Sequence, residues 1–407
     1  MRKLLLSCMI ALLAVPAFAV EFTSGDFKAN VYGNIFADGF YTYSSKEATP
    51  IYPATVIGGG KQSFGSYAFV GSSNFGVTMN YNNVSGTIEA GLGDPIRKFY
   101  LKYNIGGKAD HYILAGRDNN IAFYNYGQLS NDGQSMIDYG ALANKRRLQL
   151  RYGLKGFEMA IIMPQIGFGS GDDIAYKDSH TYEVSNDKSY SIAAADYMFN
   201  YLPRLELAYT IAKDNFNLKV FGSYGAYMYH NDSAGEVTRS NGSKKAIDKF
   251  NTTAHMFYIG LGGQASFGNS FLNYVAYAGQ NMYLSNAQGD YRTGVSKAAL
   301  NPISLSMNTN VLTVDIKDVY SAGGSVGYGY KAMDGKLTTQ IGLGYSASFA
   351  SHINTDQNIG GFLNTQYMVN EWFSVVPELA LLYNLTGANG EAQGFSVIAG
   401  AAAVLSF

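Results

Sequence analysis

From Phe27 to Tyr43 the chain alternates. Phe27, Ala29, Val31, Gly33, Ile35, Ala37, Gly39, Tyr41 and Tyr43 take the odd positions, while the even ones include Lys28, Asn30, Asn34, Asp38 and Thr42. Period two over so long a run predicts a strand with one apolar and one polar face. Strands of soluble proteins average about five or six residues, so a longer one with charges on its polar side suits a barrel wall between lipid and water. The same alternation returns over 214–229, where Phe216, Leu218, Val220 and Gly222 oppose Asn217, Lys219 and Ser223. It closes the chain as well, with Phe395, Val397, Ala399, Ala401, Ala403, Leu405 and Phe407 on one face.

The connections carry a second signal. Asn82-Asn83, Gly106-Gly107, Lys155-Gly156, Asp214-Asn215, Gly268-Asn269, Asp334-Gly335 and Asn370-Glu371 are residue pairs that tolerate positive φ or bond their own backbone, and they predict tight turns. Between them lie longer polar stretches near 44–62, 118–144, 165–201, 230–251, 286–312 and 351–358, with brief ones at 93–96 and 386–393. Seven turns and eight loops join sixteen strands, an even number that leaves both ends on one side, as in bacterial outer-membrane barrels with short periplasmic turns and longer outer loops. The predicted fold is therefore all-β: a 16-stranded antiparallel transmembrane β-barrel over 20–407. Ala193-Ala194-Ala195 could form one helical turn within a loop.

Composition agrees. Charged residues make up 14%, against roughly 25% in soluble domains, while 33 Tyr, 24 Phe and 47 Gly stand beside only 8 Pro. Aromatics favour strands, and Tyr41 with Tyr43, or Trp372 with Phe373, fits interfacial girdles. At the N-terminus Arg2 and Lys3 precede an apolar stretch from Leu4 to Val15, and Ala17-Phe18-Ala19 supplies small residues for cleavage after Ala19. Residues 1–19 are thus expected to be a signal peptide. Leu5-Leu6-Ser7-Cys8 loosely resembles a lipoprotein signal, but too few apolar residues precede Cys8. Losing the leader removes the sole cysteine and leaves 27 basic against 30 acidic residues, a net charge of −3 that argues against a nucleic-acid binder.

Catalytic and metal motifs are missing from the sequence. His111, His180, His230, His255 and His352 form no i, i+4 pair, and no Gly-x-Ser-x-Gly elbow occurs. Neither an enzyme nor a cofactor is expected. More informative is a basic ladder: Lys98 and Lys102 alternate with Phe99, Leu101 and Tyr103, while Arg147 and Arg151 alternate with Leu148 and Leu150. Charges at mid-depth on a lipid face cost about 2–4 kcal/mol each, so these basic positions, with Arg117, are assigned to the lumen. Between Arg117 and Lys145 runs a long stretch bearing Asp118, Asp132 and Asp138 among Phe123, Tyr124, Tyr126 and Tyr139. A loop this long and this apolar should pack on something. Folded into the barrel, its carboxylates would face the ladder across a narrowing and sort solutes by charge. Five basic positions against three acidic ones predict a mild anion preference.

With these residues in view, the chain resembles the Gram-negative trimeric porins. The carrying segments are VYGNIFADGF, RKFYLKY followed by ILAGRD, the long loop, NKRRLQLRYGLKGFEMA and the terminal AAAVLSF. NYLPRLELAYT, VAYAGQNMYLSN and GGSVGYGY look more like the substrate-selective, DcaP-like branch than the enteric general porins, whose acidic PEFGG-type motif this third loop lacks. The resemblance implies a homotrimer in the cell outer membrane, in contact with its lipid and lipopolysaccharide, passing small hydrophilic solutes. It also implies that 118–144 narrows the pore and that Phe407 is the signal read by the barrel assembly machinery. A structural or adhesive surface barrel and a membrane-embedded hydrolase are the alternative readings.

Overall fold

The computed structural model describes residues 20–45, 62–67, 73–91, 95–124, 126, 136, 139–163, 180–184, 188–192, 198–231, 235–239, 244–247, 250–285, 303–308, 311–351 and 353–407. The expected leader and Ala193-Ala194-Ala195 lie outside them.

Sixteen antiparallel strands form a closed wall. The first is Phe27–Ser44. The second is Asn74–Tyr81, with Gln62–Tyr67 continuing the same side of the first strand. Five short strands follow: Val84–Gly91, Lys98–Asn104, His111–Asn119, Arg146–Leu154 and Phe157–Ile162. The remaining nine are Arg204–Lys213, Phe216–Asn231, Phe250–Phe267, Ser270–Gln280, Tyr320–Ala332, Leu337–Ala350, Ile353–Met368, Phe373–Thr386 and Gly394–Ser406. Closure comes from the last strand pairing with the first, from Asn34↔Ser406 to Ser44↔Ser396. Beyond it, Phe407 exchanges backbone hydrogen bonds with Gly33 at 2.8 and 3.0 Å. Val20–Ser24 then pairs with Phe27–Val31 along the same edge, covering the stretch of the first strand that the last strand does not reach.

All the tight turns expected from sequence are where the strands reverse. At Lys155-Gly156 both residues have positive φ (48° and 86°), the backbone twist that suits a two-residue hairpin, while the wider turn between the paired Ala332 and Leu337 holds Met333, Asp334 and Gly335 at positive φ (52°, 53° and 87°). One expected loop fails. Residues 353–358 are strand, and the reversal needs only the short link between Ala350 and Ile353, which face each other in the ladder.

The period-two pattern sorts the two faces. On Phe373–Thr386, Leu379, Leu381 and Tyr383 are exposed to the outside, whereas Glu378, Ala380, Leu382 and Asn384 are buried on the inside. Likewise Asp38 and Thr42 turn inward. Three outer connections add a second, six-stranded sheet that the sequence reading passed over as plain loops. It consists of the hairpins His180–Val184 with Lys188–Ile192, Gly235–Arg239 with Lys244–Ile247, and Ile303–Asn308 with Val311–Ile316. The last two hairpins are joined by a parallel pairing of Ala246 and Ile247 with Val311 and Leu312.

Leu343, exposed at mid-strand, is expected to tolerate Arg poorly: Leu343→Arg should lower unfolding free energy by about 2–4 kcal/mol, against about 0–1 for Met333→Arg at a turn. Urea titration in lipid vesicles distinguishes the two, and equal effects would contradict the face assignment.

Candidate pore constriction

The long connection after His111–Asn119 enters the barrel. Its stem is zipped by Asn120, whose N–H donates to Lys145 O (2.8 Å) and whose Oδ1 accepts from Lys145 N–H (2.9 Å). Gln149 Nε2 donates to the carbonyls of Asp118 (2.9 Å) and Asn119 (3.0 Å), fixing the direction in which the loop leaves the wall.

Two seats hold it. At the first, Ile121, Ala122 and Leu142 are buried with Ala160, Ile162, Ala208, Phe221, Met256 and Tyr258 from the inner wall. Glu206, fully buried, accepts the N–H groups of Ile121 (2.8 Å) and Ala122 (3.0 Å) on Oε2, while its Oε1 pairs with Arg204 at 2.9 Å. At the second seat, Tyr126, Met136, Tyr139 and Ala141 pack on Phe40, Val275, Phe362, Ala380, Leu382 and Ile398. There the Tyr139 hydroxyl donates to Asn384 Oδ1 at 3.0 Å. These inward apolar side chains interrupt the polar lining where the loop covers them.

The wall leaves room for the loop. A Cβ at Gly262 or Gly327 would stand 2.5 Å from a ring carbon of Tyr124 or Tyr126, and one at Gly344 would collide with the Tyr139 carbonyl. Lys219 places its Nζ 5.3 Å from the centre of the Phe123 ring. Burial pushes the Tyr126 phenol up to about 12, against a smaller opposite pull from the Ser325 hydroxyl, so that side chain is neutral at physiological pH.

Four of the five basic positions, Lys98, Lys102, Arg147 and Arg151, face inward, and Asp118, expected on the loop across a narrowing, stands instead on the strand His111–Asn119 beside them; Glu89 and Glu158 are partners the sequence reading did not name. Lys98 pairs with Glu89 at 3.3 Å, and Glu89 also binds Arg97 (2.7 Å) and the Tyr32 hydroxyl (2.9 Å). Arg151 is buried between Asp118 (3.3 Å) and Glu158 (3.5 Å), and Glu158 accepts from the Tyr112 hydroxyl as well. Arg147 is buried and faces Asp118 across the ladder. Lys102 lies 4.0 Å above the Tyr112 ring and donates to Ala109 O (3.3 Å). It therefore sits near the turns, some four residues or about 13 Å along the strand from Lys98.

Arg117 does not join them. It pairs with Phe99 on one side and Leu148 on the other, both exposed outward, so register puts its Cα on the outer face. Asp132 and Asp138 lie outside the described residues. Glu89, Arg97, Glu158, Arg204, Glu206 and Lys219 were missed, although parity could have found several: Arg204, Glu206 and Ala208 oppose Leu205, Leu207 and Tyr209, and Glu158 stands between Phe157 and Met159.

No known family's profile matches the chain, and none of the curated proteins compared does. Solved structures do. The outer membrane channel DcaP of Acinetobacter baumannii superposes with a TM-score of 0.60 at 15% identity, over 95% of this chain and 99% of that one. The outer-membrane OmpT of Vibrio cholerae gives 0.53 at 12% identity over 95% and 100%. A trimer form of in-vitro folded OmpT gives 0.50 at 14% over 94% and 99%. The chain thus has the sixteen-stranded fold of outer-membrane barrels.

Replacing Glu206 by Ala strips two N–H groups and Arg204 of their acceptor. Breaking a buried ion pair from one side costs about 3–5 kcal/mol, so Glu206→Ala should lower unfolding free energy by that order and expose the 118–144 segment to protease in the folded barrel. Wild-type resistance in the variant would refute the latch.

Proposed function

We propose that the protein is an outer-membrane porin, a non-enzymatic, water-filled channel for passive diffusion of small hydrophilic solutes and ions. The observation that carries this reading is the course of the long loop. Its described residues are seated on the strands around Glu206 and Tyr258 and on those around Phe362 and Asn384, whereas Lys98, Tyr100, Lys102, Tyr112 and Glu158 keep partly exposed side chains on the uncovered arc. Sixteen strands leave room for an aqueous passage. That passage runs between the loop and this arc, and the loop sets its width. DcaP, described as an outer membrane channel, shares the fold.

Charge across the lumen supports selectivity. Lys98, Lys102, Arg147, Arg151 and Lys219 lie on the fourth to ninth strands, while Asp356 and Glu378 lie on the fourteenth and fifteenth, five to eight strands away around the ring, and Asp38 on the first, three strands from Lys98. The opposed arcs set up a transverse field in a low-dielectric enclosure. Glu89 and Glu158 offset much of the basic arc, so the anion preference is mild.

A homotrimer fits the same geometry. The short strands from Val84 to Ile162 show Phe99, Leu101, Leu148 and Leu150 on their outer side, a low wall suited to shielding by a second subunit, and the OmpT relative is described in a trimer form. Cleavage after Ala19, contact with lipopolysaccharide and reading of Phe407 by the assembly machinery complete the proposal.

Liposomes carrying the protein should swell in small sugars and not in large ones. Lys98→Glu with Lys102→Glu, which alters half-exposed side chains rather than the locked Arg151, should move the reversal potential in a salt gradient toward cations. No shift would remove these lysines from the conduction path.

A further inference from the structure

A second segment folds inward. Directly after Ser270–Gln280, Asn281 is fully buried with φ at +52°, a backbone that few residues other than glycine adopt. Its side chain explains the cost: Nδ2 donates to His255 O (2.8 Å) and Asp318 Oδ1 (2.7 Å), and Oδ1 accepts the Val319 N–H (2.9 Å). Its own N–H donates to Val319 O at 2.7 Å. Asn281 therefore clasps both ends of the connection that carries the outer hairpin Ile303–Asn308 and Val311–Ile316. The turn that follows, Met282–Ser285, buries Met282 and Leu284 in the same cluster as Ile121, Ala122 and Leu142. Arg204 joins the two segments, donating from Nη1 to Ser285 O (3.4 Å) and pairing through Nη2 with the Glu206 that holds Ile121 and Ala122.

We propose that Met282–Ser285 is a second wall of the constriction and that Arg204 is a positioning residue coupling it to the long loop. The inference rests on the porin reading for its consequence, which is that displacement of the outer hairpin pulls, through Val319, Asn281, Ser285 and Arg204, on the loop that narrows the pore. The outer sheet is thereby a handle on conductance. A shared apolar cluster alone would let the segments slip past each other. The chain of directional, partly charged hydrogen bonds makes their positions depend on one another.

Amide hydrogen exchange of the full, detergent-folded protein tests the coupling. The Ile121 and Ala122 amides report on the long loop, the Met282–Ser285 amides on the turn, and the amides of Phe373–Thr386 on the integrity of the barrel. Asn281→Ala, on the other segment, should speed exchange at Ile121 and Ala122 about tenfold, the size expected for loss of one hydrogen bond to a charged group. Arg204→Lys keeps a cation beside Glu206 and loses the second arm, so it should speed exchange at Met282–Ser285, and combining the two substitutions should add nothing further at Ile121 and Ala122. Wild-type exchange at Ile121 and Ala122 in Asn281→Ala, or rates that multiply in the double variant, would overturn the coupling. If Asn281→Ala does not fold, Arg204→Lys decides by the turn amides, where unchanged exchange overturns it. A wild-type protein silent in bilayers would instead defeat the porin reading, and the exchange result would still decide the coupling.

Discussion

A wall that faces lipid has no water to satisfy its backbone, so each N–H and C=O must find a partner within the protein. Here that requirement is met by the ladder between Gly394–Ser406 and Phe27–Ser44, extended by Phe407 against Gly33 and by Val20–Ser24 against Phe27–Val31. Everything else follows from the ring this closes. Its pleat sends alternate side chains to lipid and to the lumen, which is why Glu378 and Asn384 can be buried in a membrane wall while Leu379 and Leu381 are exposed. Its girth leaves an interior too wide for its own side chains to fill, and a loop supplies the second layer.

That loop is held as a folded core element is held. It has apolar seats on two parts of the wall and a hydrogen-bonded anchor at each: Glu206 with Arg204 at one, Tyr139 with Asn384 at the other. Three sets of buried charges are compensated: Arg204 with Glu206, Arg151 with Asp118 and Glu158, and Arg97 with Glu89. Compensation of this kind adds little net stability, since desolvation opposes the attraction, but it fixes where the loop stands and thus which arc of the wall stays open. Position, more than affinity, is what a passive channel requires of its charges.

The barrel was legible from sequence because lipid imposes the strictest pattern a strand can carry. Turns such as Lys155-Gly156 and Asp334-Gly335 announce themselves through residues that accept positive φ. Outside the lipid zone the pattern relaxes, and there the reading failed: Ile353–Asn358 is polar on both faces yet remains in the sheet, and the outer hairpins were passed over as loops. Arg117 was assigned inward on the cost of a charge at mid-depth, but it stands at the end of its strand, where register and not charge decides its face. The partners of the ladder could not be read either, because Glu89 and Glu158 meet their cations across neighbouring strands, and Glu206, paired with Arg204 on its own strand, receives the N–H groups of a distant loop. No spacing along a chain encodes the meetings between strands or with the loop.

The most direct test of a barrel narrowed but not closed by its loop is single-channel current from detergent-folded protein in a planar bilayer. The account predicts steady openings, arriving in groups of three for a trimer, with a conductance below that of an unobstructed sixteen-stranded ring. Silence from protein shown to be folded would mean that the loop seals the lumen, and the channel reading would be wrong.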